Sequence, residues 1–213
     1  MRITIFGAAG DVGSRIVAEA LSRGHDVTAV VRRAAGVNRL PSAVRVITAD
    51  AADPVQVVRQ CAGQDLVISA VRPPDGQEQQ LVTVTRSILE GAAATGVRVL
   101  IVGGAASLKL PGQGEVTVLT ADDFLPDSVL DIARACQAQY EACLVEAKAD
   151  WSYLSPPAML VPGERTGSYR LGRDELLVDA DGQSGISMED FAVVLLDEAE
   201  QPRHQRMRFT AAA

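Results

Sequence analysis

The start of this chain constrains it most. Residues 2–6 (RITIF) are a short, β-branched apolar run that Gly7 stops, so they read as a buried strand. Residues 12–22 place Val12, Ile16, Ala20 and Leu21 on one helical stripe, which Gly24 ends. Between them lies Gly7-Ala8-Ala9-Gly10-Asp11-Val12-Gly13, a G-x-x-G-x-x-G spacing. In a strand-to-helix turn of this type the first glycine permits the tight turn. The second lets the backbone approach a pyrophosphate, and the third lets the helix pack close to the sheet. The helix N-terminus adds unbonded N–H groups and a partial positive charge. A dinucleotide site on Gly7, Ala9, Gly10, Asp11, Val12 and Gly13 is expected; the alternative is a glycine turn with a structural role alone.

The same alternation continues. Strands are expected at 26–31, 44–48, 66–70 and 98–102, with helices at 54–61 and 78–95 between them. These strands are continuously apolar, as in a parallel sheet covered on both faces. Residues 103–127, rich in Gly, Ala, Pro and Asp, are too long for an ordinary connector. Ser128 with Asp131 reads as a capping box opening a helix whose face carries Val129, Ala133, Cys136, Tyr140, Cys143, Leu144 and Ala147. A sixth strand is expected at 151–154, then short strands and turns. A last helix at 188–200 is capped by Ser187 with Asp190, and a closing strand at 206–210 follows. The expected fold is α/β, a Rossmann doubly wound parallel sheet with a small C-terminal substrate-side lobe. Residues 1–213 are expected to be one NAD(P)-binding domain, with about 155–213 forming much of that lobe.

Composition narrows the partners. Twenty Lys and Arg against 27 Asp and Glu give a net charge of −7, and aromatic residues are 4% of the chain. Neither a basic face nor a stacking platform for nucleic acid is expected. Cys61, Cys136 and Cys143 have no metal-ligand spacing and read as small core residues; no metal site is expected. No segment has the roughly 18 apolar residues of a membrane span, and MRITIFGAAG does not read as a signal peptide. A cytoplasmic protein acting on a small-molecule redox acceptor, as a monomer or small homo-oligomer, is expected.

The second strand sets the cofactor preference. An NAD site usually ends this strand with Asp or Glu for the ribose hydroxyls. Here Arg32 and Arg33 follow it, and a guanidinium there can pair with a 2′-phosphate. NADP is expected, with NAD possible; the alternative reads both arginines as solvated surface charges. Asp11 places a carboxylate near the anion or complements the helix N-terminus. Asp50 is expected beside the adenine ring, or else as a strand-end turn residue. Ser69, Ala70, Val71, Gly103, Gly104 and Pro156 are expected to border the cofactor at the carboxyl edge of the sheet.

IFGAAGDVGSRI, RGHDVTAVVR, DLVISAV, VLIVGGAASL, WSYLSPP, PGERTGSYRLG and ISMEDFA occur in that order. Together they resemble the atypical short-chain dehydrogenase/reductase group named for NADH-flavin reductase activity, kin to NmrA-like proteins and biliverdin-IXβ/flavin reductases. The resemblance covers nearly the whole chain; GERTGSYRLG is specific to the group, whereas the glycine turn is shared widely. It implies a Rossmann fold and NAD(P) binding, and fixes the cofactor better than the substrate. Ala9 stands where the group often has a hydroxyl residue, and Ala106 where glycine is common.

Ordinary short-chain reductases protonate a carbonyl oxygen with a Tyr-x-x-x-Lys pair. Here Leu144 stands four residues after Tyr140, and Lys148 eight. Tyr140 therefore reads as core packing more readily than as an acid. A flavin or quinone, which spreads charge over a conjugated ring, depends more on alignment than on a positioned acid. The acceptor is expected near Ser107, Leu108, Phe124, Pro157, Ala158, Met159, Tyr169 and Arg170. Ser107 is the candidate hydroxyl donor, and Arg165 and Arg170 are candidates for an anionic group. GERTG reads equally as turn chemistry. The competing readings are a non-catalytic NADP-sensing regulator and a reductase, dehydratase or isomerase of a specific carbonyl metabolite.

Overall fold

The computed structural model describes residues 1–33 and 36–213. The first half alternates β1 (Arg2–Phe6), α1 (Asp11–Ser22), β2 (Asp26–Val31), β3 (Arg45–Thr48), α2 (Pro54–Cys61), β4 (Leu66–Ser69), α3 (Gln80–Thr95) and β5 (Arg98–Val102). The second half carries α4 (Leu130–Leu144), β6 (Trp151–Ser155), β7 (Met159–Val161), β8 (Arg170–Gly172), β9 (Gly185–Ser187), α5 (Met188–Glu200) and β10 (Met207–Ala212). The main sheet has the order β3-β2-β1-β4-β5-β6-β10-β8, parallel except for β8 at its edge. Strand order reverses between β1 and β4, which makes this a Rossmann sheet. Phe6 lies opposite both Val30 and Ser69. The segments after β1, β2 and β4 therefore leave at one rim, where open α/β sheets bind their ligands.

Two cores sandwich the sheet. Ile16 and Val17 of α1 and Phe191 and Leu195 of α5 pack on the face presented by Ile3 and Ile5. Val57 and Cys61 of α2, Ile88 and Leu89 of α3 and Cys143 of α4 pack on the other, against Phe6, Val67 and Tyr153. Covering both faces is what leaves β1, β4 and β5 with continuous apolar runs. Leu108, Leu110, Val118 and Leu176 form a third, smaller core. It turns the 103–127 segment into a packed wall: the Lys109 amide donates to the Asp174 carbonyl, and the Leu176 amide to that of Lys109, both at 2.8 Å.

Several local expectations change. Ser128 lies in a 3-10 turn, and α4 begins after Val129 with no side-chain cap; Asp131 accepts from Arg134 instead. Aspartate can serve a helix N-terminus through its charge alone, so the capping box was not needed. Leu144 is exposed, because α4 ends there and its buried stripe stops at Cys143. Ala147 lies beyond the helix. At α5 the expected Ser187 cap does form, with the Asp190 amide donating to Oγ at 2.9 Å. The closing strand runs longer, through Ala212.

The Asp190 carboxylate has another task. It accepts from the amides of Thr166 (2.8 Å) and Gly167 (2.7 Å) and from the Thr166 hydroxyl (2.6 Å). The Gly163 amide donates to Glu189, and Arg165 forks onto Glu19 of α1 at 2.7 and 2.8 Å. Gly-Glu-Arg-Thr-Gly is therefore a strap across α1 and the start of α5, and Arg165 is spent on the fold. Glu19 is buried and also accepts from Arg23 at 2.8 Å. Hydrogen bonds from Arg165, with help from Arg23, hold its carboxyl below the ordinary 4.5 despite burial. Its stabilising effect is therefore present above about pH 4.5 and lost as pH falls through the lower folded value. Glu19→Gln should cost roughly 1.5–3 kcal/mol near neutrality, as expected for hydrogen bonds to a charged group. It should also flatten the acid-side fall in stability. Urea melts of both proteins across the acid range check this, and parallel curves would refute it.

Candidate functional site

A cleft of about 900 Å³ runs along the carboxyl rim of β2, β1, β4, β5 and β6. That volume is at the upper end for small-molecule sites. The glycine turn forms its middle. Gly7 has φ +75°, and a Cβ on it would lie 2.4 Å from the Ala70 carbonyl oxygen. A Cβ on Gly13 would lie 2.1 Å from the Gly7 oxygen. The fold itself requires both to be glycine. Gly10 differs: its φ of −72° suits any residue, and a Cβ would meet only the Gly7 oxygen, at 3.2 Å. The backbone does not demand glycine there, but the smooth floor suits a close-lying pyrophosphate. No side chain caps α1, so its first-turn amides face the cleft beside Asp11 and Val12. The residues present thus fit a dinucleotide.

At the β2 end, Arg32, Arg33 and Asp50 line the cleft. Both arginines are exposed and make no ion pair among the described residues. Asp50 accepts from the Ala52 amide at 2.9 Å, which holds the turn after β3. Asp11 pairs with Arg39 at 3.2 Å, so its charge is offset next to the glycine turn. Ala70 and Val71 line the rim after β4, and Arg72 beside them is a cation that strand-end reasoning missed. Ser69 is buried below the rim, and Gly13 lies beneath the turn instead of facing the cleft.

At the β5–β6 end the lining includes Gly103, Gly104, Ala105, Ala106, Val118, Leu125, Pro156, Pro157 and Ala158. From α4 come Ile132, Ala133, Cys136 and Gln139. Beneath them is Tyr153, fully buried, whose ring packs against Gly103: a Cβ there would lie 2.0 Å from the ring. Neither Tyr153 nor Gln139 was found by sequence reasoning. The adjacent Gly103-Gly104 was the available signal, since strand-end glycines mark close approach.

The candidate hydroxyls do not reach this end. Arg208 of β10 donates to Ser107 Oγ at 2.6 Å and to Asp174 at 2.7 Å, and its guanidinium sits 4.5 Å over the Tyr140 ring. Ser107 and Tyr140 are both held there, outside the cleft lining. Burial raises the phenol pKa of Tyr140, and desolvation pushes the partly buried Cys136 thiol up to about 11. Tyr169 donates to Asp197 on the α5 side at 2.5 Å, and Arg170 donates to the Ala213 and Val178 carbonyls. Phe124 and Met159 are exposed outside the lining, and Leu108 is buried in the third core. Tyr169 and Arg170 are committed to polar partners, Leu108 to packing, and Phe124 and Met159 lie outside the cleft, none of which a strand or turn pattern reveals.

The comparisons with known proteins agree with this geometry. The chain belongs to the NAD(P)H-binding family, whose profile matches residues 7–202, as its resemblance to atypical short-chain dehydrogenases/reductases implies. Fold and family define an NAD(P)H-binding protein with a Rossmann sheet. The chain is 36% identical over 222 residues to the uncharacterized protein YwnB of Bacillus subtilis, covering 100% of this chain and 99% of that one. A solved Burkholderia pseudomallei structure, provisionally described as an exported protein, matches with TM-score 0.88 and 39% identity over 100% of both chains. A Streptococcus pneumoniae structure provisionally named an NADH-flavin reductase matches with TM-score 0.88 and 29% identity, over 100% of this chain and 99% of that one. No helix among the described residues is long and apolar enough to cross a membrane.

The contrast between the glycines yields a prediction. Gly10→Val should leave the protein folded, with a modestly lower melting temperature from the 3.2 Å approach to the Gly7 oxygen and the loss of an N-cap glycine, but fill the space for the pyrophosphate. The rise in melting temperature on adding NADPH should disappear. A variant that still gains the parent's full thermal shift would move the site elsewhere.

Proposed function

We propose that this protein is a reductase that prefers NADPH and passes a hydride to a flat, largely apolar acceptor such as a flavin or quinone. The observation that carries this reading is the apolar β5–β6 end of the cleft, which Ser107 and Tyr140 do not line. When bound there, the reduced nicotinamide supplies the hydride. The protein's part is alignment, worth a large share of the barrier when two partners are held in stacking contact. The glycine turn and first α1 amides hold the pyrophosphate, with Arg72 near it. Arg32 and Arg33 would hold the 2′-phosphate. Gly103, Gly104 and Pro156 line the end of the cleft where the nicotinamide would lie, and Leu125, Ile132 and Pro157 would exclude water from it. The proton that completes acceptor reduction comes from solvent, since Ser107 and Tyr140 are held by Arg208 outside the cleft lining. The Streptococcus pneumoniae relative's provisional name supports a flavin-type acceptor.

Oxidation of NADPH and NADH, followed with FMN, quinones and aldehydes as acceptors, tests this directly. Turnover with the ring acceptors and little with aldehydes is expected; turnover with aldehydes alone would overturn the reading. NADPH should bind more tightly than NADH. Arg32→Ala with Arg33→Ala should remove roughly 1–3 kcal/mol from NADPH binding and little from NADH. Equal affinity for both cofactors in the parent would refute the assignment.

Tyr140→Phe separates alignment from acid catalysis. It keeps the ring under Arg208 and removes only the hydroxyl. Turnover with a ring acceptor should change by less than about tenfold, under ~1.4 kcal/mol of barrier. A general acid would cost roughly 10²–10⁴-fold, and a loss of that size with intact cofactor binding would favour a carbonyl reductase.

A further inference from the structure

Fully buried behind the β5–β6 end, Tyr153 has a hydroxyl with three partners. The Gly104 amide donates to it at 3.1 Å, and it lies 3.1 Å from both the Cys136 carbonyl and Gln139 Oε1. The Cys136 carbonyl lies inside α4, four residues before Tyr140, so it is already the acceptor of a helix bond. The single phenol proton is within reach of both acceptors, and it is the Gln139 amide that carries the contact onward. Gln139 Nε2 then donates to Thr85 Oγ1 at 3.2 Å, and that hydroxyl donates to the Leu81 carbonyl at 2.8 Å. This chain starts at the loop after β5, crosses α4 and ends in α3. Three of its members, Gly104, Gln139 and Leu81, line the cleft.

Local geometry shows what the hydroxyl does. The Gly103 amide still continues the sheet, donating to the Leu154 carbonyl at 2.9 Å, whereas the next amide turns inward to Tyr153. A Cβ on Gly104 would fall 2.7 Å from Cys136 Sγ, so the loop is seated hard against α4. Burial pushes the phenol well above its ordinary pKa, so it stays a neutral relay between donor and acceptor.

We propose that Tyr153 is the positioning residue of the nicotinamide end: its hydroxyl ties the Gly103-Gly104 floor to α4 and α3 and so sets the depth at which the ring lies. This rests on the cofactor reading above. It makes Tyr153 responsible for one half of the dinucleotide and not the other. The glycine turn leads into α1, and Arg32 and Arg33 follow β2, all outside the Tyr153 chain of hydrogen bonds.

Binding of two probes tests the division without turnover. 2′,5′-ADP carries only the adenine half, and NADPH carries both. Calorimetric titration of Tyr153→Phe should show 2′,5′-ADP affinity within about twofold of the parent, as expected for sites without shared partners. NADPH affinity should fall by roughly tenfold, because the Gly104 floor, no longer tied to α4, must be ordered when the cofactor binds. Thr85→Val, at the far end of the chain, should weaken NADPH in the same selective way by a smaller factor. Thr85→Ser, which keeps the hydroxyl, should restore parental affinity. The Thr85 pair decides the matter if Tyr153→Phe does not fold. Equal loss for both probes, or no loss for NADPH, would make Tyr153 a packing residue alone and overturn the proposal. A parent protein that binds neither probe would instead overturn the cofactor reading, and this inference with it.

Discussion

The close approach of three backbones at Gly7 is the constraint on which the rest of the molecule depends. The turn sits flush on the end of β4, where the Ala70 carbonyl leaves no room for a side chain, and Gly13 of α1 lies against the same peptide. This contact fixes where α1 starts, and α1 in turn carries Glu19 to the strap and Ile16 to the core shared with α5. It also fixes the cleft. With Phe6 level with Val30 and Ser69, three consecutive strand ends open beside one uncapped helix N-terminus. An anion there meets amides and a helix dipole with no structural rearrangement.

A second constraint acts at the other end of the sheet. Arg208 is nearly buried on β10, yet its guanidinium is shared among Asp174, Ser107 and the face of Tyr140. Removing such a cation from water is costly unless its donors are matched, and here carboxylate, hydroxyl and aromatic ring match them. The arrangement fastens the wall formed by residues 103–127 to the sheet. The β5–β6 end of the cleft is therefore bounded by packed structure on the loop side as well as on the α4 side. Alignment chemistry requires a wall that does not yield.

What was legible in the sequence, and what was not, follows from the range of the interactions. β1, β2, α2, β5 and α5 read directly, because each is bounded by a local signal: a glycine, a proline at the first turn or the Ser187 cap. The glycine turn was equally local, as was the continuation of β2 into Arg32 and Arg33. The acceptor end was not. Ser107 and Arg208 are 101 residues apart, and Gly104 and Tyr153 are 49 apart. A helical period said that Tyr140 lies on the same stripe as Cys136, but not that its ring meets Tyr153 at 5.0 Å while Cys136 lines the cleft. Side chains that looked available for chemistry were already committed to partners distant in the chain.

The strap over α1 and α5 has a consequence for inheritance. Every polar contact described for Gly-Glu-Arg-Thr-Gly goes to the scaffold, so the segment reports descent and says nothing about the acceptor. The cleft wall is built differently. Val118 and Leu125 belong to a small core of their own, apart from the two that cover the sheet. Exchanging one apolar side chain for another there reshapes the β5–β6 end of the cleft without touching the strap or the glycine turn. Descendants of one ancestral scaffold can thus drift to new acceptors while retaining their most recognisable motif, and a shared motif is then a poor guide to a shared substrate.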